Sequence, residues 1–153
     1  MMDAEQERNW AIACHLSSLA WIPLSAVGLG AIPFVNLIAP ALVWYAKKDE
    51  SELVNEHGKE SLNFQISMTI YGFAAGVLSL ILLMVVAVFL LAVGASEGNP
   101  VAVLLGIISG FGLVLAVVLI VAIAIFQLVV VIFAALRANE GDMYRYPFNL
   151  RLL

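Results

Sequence analysis

The sequence predicts an all-α polytopic membrane protein: a single integral domain, 1–153, with four transmembrane helices in two hairpins and both termini cytoplasmic. Three observations predict it. Apolar residues make up 63% of the chain and charged residues only 12%, with a mean hydropathy of +1.04. That is too little charge to cover the surface of a water-soluble domain of this length. The apolar residues fall into four blocks, 10–28, 32–46, 66–93 and 101–136, none with the ten-residue alternation of a barrel strand. Backbone amides in lipid must bond within their own segment, so the blocks are helices. All seven bases lie in three places: Arg8; Lys47, Lys48 and Lys59; and Arg137, Arg145 and Arg151. The connections 28–31 and 94–100 hold none, so the positive-inside bias puts both termini and the central loop in the cytoplasm.

Taken in order, the first nine residues, MMDAEQERN, carry three acids and one base, unlike a secretory signal, and the N-terminus is expected to be retained. At 1.5 Å per residue the first block is roughly 28 Å long and the second about 22 Å, against a hydrocarbon thickness near 30 Å. Gly28, Gly30 and Pro33 mark the turn between them, Pro40 removes one helical bond, and a re-entrant first hairpin stays open. Residues 47–65 form the cytoplasmic loop. The third and fourth blocks run to about 42 and 54 Å, so they should tilt, kink or project. Ser109, Gly110, Phe111 and Gly112 are the expected irregularity in the fourth.

Trp10, Trp44, Tyr45, Tyr144 and Tyr146 fall at the predicted cytoplasmic boundary, where amphipathic rings sit at headgroup level. In the tail, 137–153, Tyr144, Tyr146, Phe148, Leu150 and Leu152 take the even positions. That alternation predicts an extended segment along the membrane or against the bundle.

Several classes are excluded. The net charge of −4 arises from acids in short solvated segments, and a nucleic-acid binder would need the opposite footprint. Cys14 is the only cysteine, so no intrachain disulfide and no cysteine-rich metal cluster can form. Ala11 to Cys14 resembles a lipoprotein cleavage box, but no apolar run precedes it, and lipidation is rejected. No phosphate-cradling loop, zinc-protease helix or nucleophile elbow occurs, and no cofactor is called for.

Ionisable and polar groups inside apolar blocks are the candidates for function. His15 lies about one turn into the first block, near Ser17 and Ser18. Asn36, before Pro40, and Gln127, alone in a long apolar helix, could line a polar path or hold helices together. In the central loop Glu52, Glu56 and Glu60 would align on a helix beside His57 and Lys59, but Gly58 is expected to interrupt that helix, which weakens a metal site. Asn63 and Gln65 carry polarity into the third helix. Gly72 with Gly76, and Gly106 with Gly110, have the four-residue spacing that lets helix backbones approach. In an antiparallel hairpin the two pairs cannot meet, so each should contact the first hairpin or another copy of the chain.

Four stretches, "ERNWAIACHLSSLAWIP", "IAPALVWYAKKDES", "HGKESLNFQISMTIY" and "ANEGDMYRYPFNLRLL", together resemble the small bacterial membrane proteins grouped with the chloroplast inner-envelope import component of the Tic translocon. The resemblance implies a four-helix membrane fold in the bacterial cytoplasmic membrane and a distant relation to protein translocation. It brings no catalytic residues. The leading expectation is a non-enzymatic subunit, scaffold or accessory factor of a membrane complex, whose partners are the lipid bilayer and another membrane protein or a second copy. The alternative is a small channel or transporter with His15, Asn36, Gln65 and Gln127 along its path. An enzyme using His57 and the glutamates is the weakest of the three.

Overall fold

In the computed structural model residues 2–29, 34–95 and 99–153 are described; Gly30 and Pro33 of the expected first turn, and residues 96–98 of the second connection, lie outside them. Helix α1, Ala4–Leu16, starts on a capping box: the Gln6 amide donates to Asp3 Oδ1 (2.8 Å) and the Asp3 amide to Gln6 Oε1 (3.3 Å). The first apolar block is not one helix, as expected, but α1, a 3₁₀ turn at Ser17–Leu19, and α2, Trp21–Ala26. The reason is local. The hydroxyls of Ser17 and Ser18 donate back to the carbonyls of Cys14 (3.2 Å) and His15 (2.6 Å), and Pro23 has no N–H for a continuing ladder.

Helix α3, Val35–Lys47, follows Phe34 in the left-handed region (φ 62°) and contains the buried Pro40. Its 13 residues span about 20 Å. Helix α4, Glu52–Ala95, begins well before the expected start at Ile66, so most of the predicted loop is helical. Ser51 Oγ accepts from the Val54 amide (3.4 Å), and Glu52 complements the helix dipole in the first turn. Gly58 does not interrupt α4. An interior glycine costs a helix only about 1 kcal/mol relative to alanine, and here the bare backbone seats Trp44, whose indole N–H donates to Asn55 Oδ1 one turn earlier (3.0 Å).

Helix α5, Pro100–Glu140, opens with proline at its first position, and Asn99 Oδ1 accepts from the Val101 amide (3.0 Å). It runs unbroken through Ser109 to Gly112, where an irregularity was expected. It ends at Gly141 (φ 85°), with the Gly141 amide on Ala138 O (3.1 Å) and the Asp142 amide on Arg137 O (3.0 Å). This is the paired-bond stop that a left-handed glycine permits. No strand occurs among the described residues.

The chain divides into two compact units, one of Met1–Thr69 with Phe126–Leu153 and one of Ile70–Ile125. In the second, Ala102, Ser109 and Ala116 are buried at seven-residue spacing, and the space above Gly112 ends on Leu82, 3.6 Å away. Small residues at that period form the packing seam. Phe73, Leu91 and Phe111 are more than 70% exposed, as lipid-facing side chains must be. Helices α4 and α5 are both long and apolar enough to cross a membrane.

In the first unit α1 packs on α3, and the core holds Ala11, Cys14, Val54, Phe64, Val131, Ala134 and Tyr146. Lys47 Nζ lies over the Trp10 ring (5.2 Å), and Lys48 Nζ over Trp44 (5.0 Å) and Tyr45 (4.9 Å). The base-rich end of α3 is thus tied to its aromatic girdle by cation–π attraction.

Candidate functional site

Three segments far apart in sequence meet in the first unit, and the residues that join them are polar. His15 ends α1, His57 sits in the second turn of α4, and Tyr146 belongs to the segment after α5. His15 Nε2 is 2.8 Å from His57 Nδ1, and His15 Nδ1 is 3.0 Å from the Tyr146 hydroxyl. With the tyrosine O–H donating to Nδ1 and His15 Nε2–H donating to His57, both contacts are satisfied by neutral rings. The other nitrogen of His57, Nε2, has no partner among the described residues. The backbone supports the same junction: Ser61 Oγ donates to Cys14 O (2.8 Å), and Ser18 Oγ to His15 O (2.6 Å).

The Tyr146 ring stacks on Phe64 (centroids 4.1 Å apart, 8° between planes), and its amide donates to Glu60 Oε1 (2.8 Å). Farther along, the Leu150 amide donates to Ser67 Oγ (2.8 Å), and those of Leu152 and Leu153 to Asn63 Oδ1 (2.9 Å each). The expected extended tail is therefore held against α4 by a row of α4 side chains: Glu60, Asn63 and Ser67. Asn63→Ala removes the acceptor for two of those amides. It should free the last residues, seen as faster motion of a spin label at position 152, while Tyr146 stays docked on Phe64.

Burial pushes the Tyr146 hydroxyl well above the ordinary tyrosine range near 10, with neighbouring Tyr144 and the Glu60 carboxylate adding to it. A raised acid pKa favours the folded state while the phenol is neutral. Its contribution is whole below pH 10 and is lost as pH rises further. Wild-type protein should therefore lose stability above pH 10 more steeply than Tyr146→Phe, as measured by thermal unfolding in detergent across pH 8–12.

A second polar group joins α3, α4 and α5. Gln65 is fully buried, and its Oε1 accepts from Asn36 Nδ2 (3.1 Å) and Gln127 Nε2 (3.0 Å). Asn36 Nδ2 also reaches Thr69 Oγ1 (2.9 Å), whose hydroxyl donates to Gln65 O (2.8 Å). The Gln65 amide nitrogen has no partner among the described residues.

The sequence-derived candidates therefore separate. His15, His57, Glu60 and Asn63 belong to the junction, and Asn36, Gln65 and Gln127 to the amide cluster. Lys59 joins neither and makes a solvent-exposed pair with Glu56 (3.1 Å), of a kind worth at most about 1 kcal/mol. A side chain at Gly72, Gly76, Gly106 or Gly110 would meet no atom of the described residues of its own unit within 4 Å. Tyr146 escaped sequence reasoning, which places it as a headgroup-level ring; it is 3% exposed. Its even position in the alternating tail was the available signal.

Chemically, the junction is a hydrogen-bonded chain of two imidazoles and a phenol, with His15 and His57 0% and Tyr146 3% exposed. Among the described residues no three His, Cys, Asp or Glu side chains gather as a metal site. The family model for magnetosome magnetite crystal formation proteins matches residues 6–153, from the first turn of α1 to the last residue docked on Asn63. The chain belongs to that family. Neither a curated protein nor a solved structure gives a match. The magnetosome crystal-formation family consists of small bacterial membrane proteins, which agrees with that part of the resemblance read from the sequence; the link to the import translocon gains no support.

Proposed function

We propose that this chain is a non-enzymatic accessory protein of the magnetosome membrane, acting in magnetite crystal formation as a subunit or scaffold. The family match across residues 6–153 carries this reading. It is supported by the use to which the buried polar side chains are put: His15, Glu60, Asn63 and Gln65 are consumed in joining segments of the chain. The channel reading has less behind it, because His15 and the amides stand in separate groups.

In this reading the chain has four membrane-embedded segments in two hairpins, with both termini and residues 47–65 on the cytoplasmic face, where the bases lie. The first hairpin is shallow, since α3 reaches only about 20 Å. Gly72, Gly76, Gly106 and Gly110, which leave open helix surface, offer a face to a second copy or another membrane protein. Deleting the gene in a magnetosome-bearing bacterium and imaging its crystals by electron microscopy tests the proposal. Crystals of altered size or shape, restored by a tagged copy that fractionates with magnetosomes, are expected. Unaltered crystals, or a tagged copy confined to another membrane, would count against it.

A further inference from the structure

We propose that the groove beside the amide cluster binds the carbonyl group of an uncharged, membrane-soluble amphiphile, an acyl-ester lipid or a quinone. The groove, of about 270 Å³, is lined by Trp21, Phe34, Asn36, Met68, Thr69 and Gln127 among others. Two buried donors stand at or beside it without a partner among the described residues. The Trp21 Nε1–H is buried without a partner among the described residues. So is the amide nitrogen of the fully buried Gln65, which is held between the groove-lining Asn36 and Gln127 by two bonds to its oxygen. Both of these buried atoms left without a partner are donors, so the group that complements them is a hydrogen-bond acceptor.

No charged side chain among the described residues lines the groove, and Phe34, Val35 and Met68 supply apolar wall. An anion would be left without a counter-charge there, whereas a neutral carbonyl fits. Position argues the same way. Asn36 lies eleven residues from Lys47, Thr69 ten from Lys59 and Gln127 ten from Arg137, each pair along one helix. On all three helices the cluster is therefore about 15 Å from the level of the bases, below the headgroups and open to molecules that travel in lipid. The volume suits a carbonyl-bearing head, with the hydrocarbon chains left outside in the bilayer.

The test uses the full-length protein in nanodiscs of ether-linked phosphatidylcholine, which contains no carbonyl. Dioleoylglycerol or decylubiquinone, each ¹³C-labelled at its carbonyls, is titrated in while the carbonyl stretch is followed by infrared difference spectroscopy. The expected result is a down-shifted, hydrogen-bonded population that saturates at one probe per protein. Saturation by the diester identifies a lipid ligand, and saturation by decylubiquinone a quinone. Trp21→Phe, which keeps an aromatic ring and removes one donor, should weaken binding roughly tenfold, with helix content unchanged by circular dichroism. Met68→Phe, which fills the groove, should abolish it. The inference is overturned if neither probe saturates, so that the donors serve water alone, if unlabelled dialkylglycerol ether competes equally well, or if Trp21→Phe binds as tightly as wild type.

Discussion

Tyr146→Ala should destabilise the first unit by about 3–5 kcal/mol, the range for deleting a buried aromatic ring, read as a large fall in the thermal unfolding midpoint in detergent. The ring is 3% exposed and lies flat on Phe64 at 4.1 Å, so its removal opens a cavity in the one place where the C-terminal segment, α1 and α4 converge. It also takes away the hydroxyl that satisfies His15 Nδ1. Tyr146→Phe separates the two effects. It keeps the stack and leaves one buried nitrogen unpaired, a loss of about 1–3 kcal/mol. If the alanine variant cost no more than the phenylalanine variant, the packing account of this junction would be wrong.

Gly58→Leu should be comparably damaging through the opposite fault, excess volume. Even a single Cβ at position 58 would fall on the Trp44 indole, with Trp44 Cγ 2.7 Å and Trp44 Cβ 2.9 Å away. A side chain cannot escape that contact by rotating its far end, because Trp44 Cβ is fixed to the α3 backbone. Gly58→Ala should cost about 1–3 kcal/mol and Gly58→Leu more. Trp44→Ala combined with Gly58→Ala should recover part of the loss, giving a double-mutant cycle with a clear coupling energy. Strictly additive losses would show that the two residues do not meet.

How much of this was legible in the sequence depends on range. The membrane class and the helical character follow from composition and from the rule that lipid-embedded amides must pair within their segment. His15, Asn36, Gln65 and Gln127 declared themselves because polar groups are costly in apolar blocks. Their partners could not be read, since His15 and Tyr146 are 131 residues apart and nothing in either neighbourhood names the other. The tail was half legible: its alternation foretold an extended segment, but not the anchoring amide bonds to Asn63 and Ser67.

The start of α4 was misread for a local reason. The charges of residues 47–65 resemble a solvated loop, and Gly58 looks like a stop, yet Ser51 caps the helix and Trp44 occupies the space that glycine leaves. The small-residue motifs are a different case. Gly72, Gly76, Gly106 and Gly110 have the familiar spacing, while the small residues buried in that unit are Ala102, Ser109 and Ala116, one per seven residues.

We propose that the buried histidines and tyrosine build a platform and perform no chemistry on a substrate. Complementing a deletion strain with His57→Asn, whose side-chain oxygen can take the place of Nδ1 as acceptor for His15, tests this most directly. Crystal size by electron microscopy should match wild type as long as the variant accumulates and unfolds normally, whereas Tyr146→Ala should fail in proportion to its loss of folded protein. A His57→Asn protein that is folded, present at wild-type level and still accompanied by the crystals of the deletion strain would contradict it.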